Sequence, residues 1–422
     1  MQQEQAVLPA DGDRTLATTA PATQAPATEA ETAPVGRNRR VLSSLSRADM
    51  RLALVIAIAW QVALTVIAEF LMPGHTSFLG HMQLWDSKAY LDVLHHQYEH
   101  DPLSPAFYPL FPLVVGAIWA ATFHLVPVLL IGLVVNTVCL WLAIAALFVI
   151  ATHFVPDEHR RLSAAFFLAA PAAFFMHLFY SEPLFVALGF WAYVFALRRR
   201  WLCVGLTLAL LTATRLPAML FVGLCGLEYL RSYEWKLRKA FNPKLGFFLL
   251  APVGFFAYAL FLRLVRGDWF AMFHAYHTTN SWAFHSFQPN FIRTISHAVL
   301  ETVRAFLGDR PIDDNLVVNF AIPLMCIGLL LAGSLYLIIR YRSKGIPLGI
   351  FGIVAIVYFK MISSVVAVHR YTLPCLTIYI ALAAIYANHP RLRAAVLGTG
   401  LVMVLVQGYL VWLCFGSGDF AG

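Results

Sequence analysis

The stretch Leu84–Pro112, LWDSKAYLDVLHHQYEHDPLSPAFYPLFP, decides how the rest of the chain is read. It holds His95, His96 and His100, five charged residues ahead of its first proline, and then an aromatic run spaced by prolines. Around it lies a 422-residue chain that is 60% hydrophobic and 12% charged, with a mean hydropathy of +0.71. A charged fraction about half that of soluble proteins marks a membrane protein. Within such a chain, a polar and acidic segment belongs outside the hydrocarbon, so its side of the membrane sets the topology.

Residues 1–36 are rich in Ala, Thr and Pro and poor in large apolar side chains. A segment of that kind buries too little surface to offset its ordering entropy, which predicts a disordered tail over 1–46 and a transmembrane domain over 47–422. The first apolar run follows Arg37, Arg39, Arg40, Arg47 and Arg51 and reads as an uncleaved signal-anchor with a cytoplasmic N-terminus. The net charge of +8 belongs to such cytoplasmic clusters rather than to a nucleic-acid surface. The six cysteines all lie in apolar runs without a CxxC and read as small buried hydrophobes.

Basic clusters recur at 37–51, 160–161, 198–200, 231–244, 340–344 and 391–393. Placing all of them in the cytoplasm forces the runs between them into out-and-back pairs. Spans are then expected at about 51–71, 127–151, 163–180, 183–197, 201–213, 216–230, 245–265, 315–339, 346–363, 371–387 and 393–415. The run 107–123, short and broken by Pro109 and Pro112, reads as an interfacial helix. The fold expected is all-α and polytopic, with about eleven transmembrane helices and an external C-terminus. The first external loop is 72–126, and a long one follows at 266–314.

With that threading, the remaining polar clusters all fall on the external side: 72–106, Tyr180-Ser181-Glu182, Thr214-Arg215, 266–314 and His369-Arg370. Each has a structural reading beside a chemical one. Trp85 suits an aromatic belt and Asp86 a helix cap, or Asp86 is a general base. Lys88 stands one helical turn before Asp92 and would pair with it, or it faces a ligand. The histidines of 95–100 lack a compact signature such as HExxH, so no metal site is assigned. Glu182 ahead of Pro183 suits a helix start, or it contacts substrate. Arg215 snorkels or grips a phosphate, and Arg370 repeats that arrangement at the start of a late span.

Taken in order, WDSKAYL and AFYPLFPL, PAAFFMHLFYSEPLF, RRRWLCVGLTLALLTATR and HRYTLPCLTIYIALA resemble the PIG-V-like mannosyltransferases over roughly residues 50–390. The resemblance implies a GT-C-type glycosyltransferase: an inverting enzyme with an external active site that uses a polyprenyl-phosphate sugar, most often mannose. In that family the acidic residue early in the first external loop is the expected base, which falls on Asp86. Arg215, Arg370 and Lys88 are then the candidates for the donor phosphate, and Trp85, Tyr90, Tyr180, Glu182, His369 and Tyr371 for substrate contacts. The lipid-linked sugar is the co-substrate, no other cofactor is assigned, and the acceptor is a glycolipid or glycan. Ala89, the Leu-Pro after Arg215 and His369 depart from the family's pattern, which leaves acceptor and sugar open. Two alternatives stay in view: a GT-C transferase for another lipid-linked sugar or for a protein acceptor, and a transporter or flippase of lipid-linked substrates. The absence of an internal repeat and the gathering of charge on one face favour an enzyme.

Overall fold

The computed structural model describes residues 45–72, 79–96, 98–99, 101–278, 290–362 and 367–417, the side chains of 276–278 and 360–362 excepted. The chain divides into two units, Met1–Arg40 and Val41–Gly422. The predicted tail lies almost wholly outside the described residues.

Among the described residues the fold is helical throughout and contains no strand. Five helical segments are long and apolar enough to cross a membrane: Arg47–Leu71, Val128–Ala151, Pro243–Arg266, Asp314–Lys344 and Pro390–Ser417. Shorter apolar helices fill the space between them. Helix α1 (Arg47–Leu71) opens with a capping box. The Ser46 hydroxyl accepts the Asp49 N–H at 3.0 Å, and the Asp49 carboxylate accepts the Ser46 N–H at 3.3 Å. Asp49 also holds Arg160 at 2.6 Å, so two of the predicted cytoplasmic clusters meet at one end of the bundle.

Next come α2 (Asp86–His96), α3 (Leu110–Ala121) and α4 (Val128–Ala151). Helix α3 has 12 residues. At about 1.5 Å per residue it falls well short of a hydrocarbon core of roughly 30 Å. The segment expected to span at 163–180 is not one helix. Helix α5 (Leu162–Ala169) ends ahead of Pro171, whose ring disfavours helical geometry in the residue before it, and the chain turns through a 3-10 segment, Ala173–Met176. Helix α6 (Glu182–Leu197) follows, then α7 (Trp201–Thr212) and α8 (Ala218–Ser232), broken apart at Thr214–Pro217.

The rest comprises α9 (Val253–Arg266), α10 (Ala271–Thr278), α11 (Phe291–Phe306), α12 (Ile322–Tyr341), α13 (Ile346–Ile362), a single turn Val368–Tyr371, α14 (Leu376–Asn388) and α15 (Arg393–Trp412). Helices α4, α6 and α14 are apolar on every face, and such helices find stability only when surrounded. Accordingly α4 packs between α1 and α6, and α14 against α5 and α12. From Ala143 to Ile150 every residue of α4 is buried. Near the other end of α4, Gly132 admits the ring of Phe179, since a Cβ at that glycine would lie 2.4 Å from it. That close approach seats the 176–182 turn on α4, and the Asn136 amide secures it by donating to the carbonyls of His177 and Leu178 at 3.2 and 2.7 Å.

Candidate active site

Two distant segments, 79–90 and 176–182, are fastened to each other at successive points. The Phe179 N–H donates to the Met82 carbonyl at 3.4 Å. The Tyr180 hydroxyl donates to the Leu84 carbonyl and accepts the Asp86 N–H, each at 3.2 Å. Tyr90 and Ser181 share a hydrogen bond of 2.6 Å between their hydroxyls. Tyr90 is wedged edge-on between Phe107 and Phe111, so the aromatic run after the prolines buttresses the same junction.

The charged residues close this junction. Arg370 Nη1 lies 2.7 Å from Asp86 Oδ2. Through Nε the same guanidinium meets Glu182 Oε1, and Arg215 Nη1 meets that oxygen as well. Asp86, Glu182, Arg215 and Arg370 therefore form one chain of two carboxylates and two guanidiniums, without net charge. Its buried centre is Arg370 and Glu182, 5% and 3% exposed. The Arg370 guanidinium lies over Tyr180 and Phe175, 4.6 and 5.0 Å from their centroids, and Arg215 lies 5.8 Å from that of Tyr371. Glu182 Oε2 is buried with no hydrogen-bond partner among the described residues.

Backbone geometry presents two of these groups. Trp85 (φ +51°) and Ala367 (φ +62°) occupy the left-handed region, which costs a non-glycine residue about 1 kcal/mol or more. Trp85 turns the chain so that Asp86 starts α2, and Ala367 starts the single turn that carries Arg370. Thr214 to Pro217, the break between α7 and α8, delivers Arg215.

Asp86 is the member of the quartet that borders open space. A cavity of about 470 Å³ is lined by Trp85, Asp86, Lys88, Asp92, Asp101 and Phe107, among others. Lys88 is exposed there and makes no ion pair with Asp92, whose Oδ1 is held by His96 at 2.8 Å and whose Oδ2 is buried without a hydrogen-bond partner among the described residues. The i,i+4 pair formed on this helix is Asp92 with His96, not Lys88 with Asp92. His95 sits edge-on to Trp119, and His100 lies outside the described residues. Among the described residues no three His, Cys, Asp or Glu side chains are grouped to hold a metal.

Of the expected substrate contacts, Trp85 lines the cavity, whereas Tyr90, Tyr180, Glu182 and His369 are buried at the junction behind it. Tyr371 is half-buried between Arg215 and the ring of Phe359. The segment expected to form the long external loop begins where Arg266 donates to the carbonyls of Tyr98 and Asp101 at 2.6 and 2.7 Å. Just beyond it, the Phe270 N–H and the His274 ring hold the Asp268 carboxyl below its usual range. Trp282 and His285 lie outside the described residues.

Sequence reasoning passed over Gln61, Glu69, His81 and His177, which form a second polar line beside the quartet. The available signal was Gln61 and Glu69 in the first apolar run, since a polar side chain at membrane depth needs a partner.

No family model and no curated protein matches the chain. Among solved structures, it resembles the oligosaccharyltransferase of Archaeoglobus fulgidus, crystallised with a disulfide-tethered acceptor peptide containing the NVT sequon. The TM-score is 0.48 at 12% identity, over 89% of this chain and 56% of that one. The chain thus spans little more than half the length of that enzyme, and a likeness at this level decides neither fold nor activity.

Proposed function

We propose that the protein is an inverting, membrane-embedded glycosyltransferase of the GT-C type. It moves a sugar, mannose by its motif resemblance to PIG-V-like enzymes, from a polyprenyl-phosphate donor to a hydroxyl of a glycolipid or glycan. The observation that carries this reading is the position of Asp86, which is bound to buried Arg370 on one side and open to the cavity on the other. A base for direct displacement at an anomeric carbon needs that setting: a fixed orientation, and room for the acceptor beside it.

In this scheme Asp86 takes the proton of the acceptor hydroxyl as its oxygen attacks the anomeric carbon. The bond to the phosphate oxygen breaks, and the departing phosphate gains charge that cations must meet. Arg215, Arg370 and Lys88 supply them. Arg370 is bound to both carboxylates, so its first task is to orient Asp86. Lys88 reaches the cavity without a carboxylate partner among the described residues, and Arg215 lies at the far end of the quartet. In this proposal the lipid tail of the donor lies among the apolar helices, with the N-terminus in the cytoplasm and the site on the external face. The test supplies purified protein with polyprenyl-phosphate-mannose and membrane lipid extract. Transfer by the wild type that is lost in Asp86→Asn supports the proposal. An absence of transfer from any polyprenyl-phosphate sugar removes it.

A further inference from the structure

We propose that Glu69, His81, His177 and Gln61 form a proton-sharing chain that holds the Asp86 segment against the Glu182 segment. In this role His81 and His177 are positioning residues for the site. The proposal rests on the glycosyltransferase reading only for what the site does, and the latch itself stands on geometry.

The chain runs along the outer half of α1. Glu69 Oε1 lies 3.0 Å from His81 Nδ1, His81 Nε2 lies 2.9 Å from His177 Nε2, and His177 Nδ1 lies 2.5 Å from Gln61 Oε1. The two imidazole planes are within 6° of parallel with centroids 5.1 Å apart. That separation is close to the nitrogen–nitrogen distance plus two ring radii, which makes the contact an in-plane N–H···N bond and not a face-to-face stack. His81 and His177 are wholly buried, and Glu69 is the member that reaches the outside. His81 precedes Asp86 by five residues and His177 precedes Glu182 by five, so this bond joins the same two segments as the Asp86–Arg370–Glu182 bridge.

The hydrogen-bond inventory fixes the protons. Gln61 Nε2 donates to the Met176 carbonyl at 3.0 Å, so Gln61 Oε1 faces His177 and His177 Nδ1 must be the donor. The next contact, nitrogen to nitrogen, needs one proton, and so does the contact from His81 Nδ1 to the Glu69 oxygen. Three contacts share three protons among one carboxyl and two imidazoles. The set is neutral overall, whether the third proton rests on Glu69, His81 or His177. Removing it leaves one proton for two contacts, so either the two ring nitrogens or the carboxylate and His81 Nδ1 meet lone pair to lone pair. Adding a fourth sets two N–H groups against each other. Either change breaks a buried contact, and each such break loosens the latch.

From the surrounding elements, the pair of histidines faces Glu69 and Gln61 of α1, the Asn136 amide of α4 through the His177 carbonyl, and the ring edge of Phe415 next to buried Cys414. Among the described residues Glu69 is the carboxylate in contact with the pair, and it is the place to intervene. In Glu69→Gln the amide donates to His81 Nδ1 permanently, which closes the latch without a proton to lose.

The experiment compares wild type, Glu69→Gln and His177→Ala as full-length protein in nanodiscs. Hydrogen exchange over 79–90 and 176–182, and transfer, are measured as pH is raised from neutral. In wild type, the protection factors of both segments (exchange with its intrinsic base-catalysed rate divided out) and kcat fall toward alkaline pH while KM for the donor stays constant. Glu69→Gln removes that alkaline limb in both readouts. His177→Ala lowers protection in both segments about tenfold at neutral pH and leaves no further loss toward alkaline pH. An unchanged alkaline limb in Glu69→Gln, or unchanged exchange in His177→Ala, overturns the proposal. The exchange readout is independent of transfer, so a failed latch and a failed glycosyltransferase reading give different results.

Discussion

Arg370 Nη1 lies 2.7 Å from Asp86 Oδ2, joining residues 284 positions apart in the sequence. Arg370 is 5% exposed and holds Glu182 as well, so it is a fixed support for Asp86 and not a mobile surface charge. Replacing it with alanine leaves two carboxylates short of a buried partner, and breaking such pairs costs about 3–5 kcal/mol. Arg370→Ala is therefore expected to lower thermal stability sharply. Arg370→Lys, which cannot serve both carboxylates in one plane, folds but transfers at least about tenfold more slowly. Thermal unfolding and initial rates on the same preparations check both outcomes.

Glu182 is the anion shared by two guanidiniums. Glu182→Gln strands Arg215 and takes one of two carboxylates from Arg370, and is expected to destabilise the protein more than Asp86→Asn, which removes one partner from Arg370 alone. Adding Arg215→Met to Glu182→Gln takes away the stranded charge. The double variant is expected to recover at least about 1 kcal/mol relative to the sum of the singles. Denaturation midpoints of the four proteins in the cycle decide this.

Lys88 is exposed in the cavity wall and makes no ion pair with Asp92. Lys88→Ala is expected to leave stability within about 0.5 kcal/mol, as surface substitutions do. It raises KM for the phosphate donor by roughly tenfold or more, the worth of one charged hydrogen bond. An unaltered KM removes Lys88 from the phosphate site.

Gly132 carries the ring of Phe179 on its Cα. Gly132→Ala forces that ring outward and disturbs the turn that presents Tyr180 and Glu182. Overpacking of this kind costs about 1–3 kcal/mol, and transfer is expected to fall with it. Substitution at Gly223, where no atom lies within 4 Å of a built Cβ, is the matched control.

Much of the helical frame could be read from the sequence because apolar run length and proline position act locally. Pro109 marks the start of α3 as expected, although the helix runs on through Pro112, and the break at Pro217 separates α7 from α8. The segment 163–180 read as one span because its composition is apolar throughout, whereas Pro171 ends the helix early and gives the turn that holds His177. Hydropathy counts side chains and does not see which carbonyls a proline frees. The structure brings Asp86, Glu182, Arg215 and Arg370 together, and a shared side of the membrane was enough to suggest their proximity. Their pairing was not legible, since nothing in the sequence says that Arg370 takes both carboxylates. The His81–His177 bond was hidden for the same reason: its two halves lie 96 residues apart and neither carries a motif.

The central claim is that Asp86 removes the acceptor's proton. The most direct measurement is single-turnover transfer from polyprenyl-phosphate-mannose by wild type and Asp86→Asn, with folding checked by thermal unfolding. The account predicts a loss of about 10²–10⁴ in rate with donor binding retained. Transfer by a folded Asp86→Asn at the wild-type rate would contradict it.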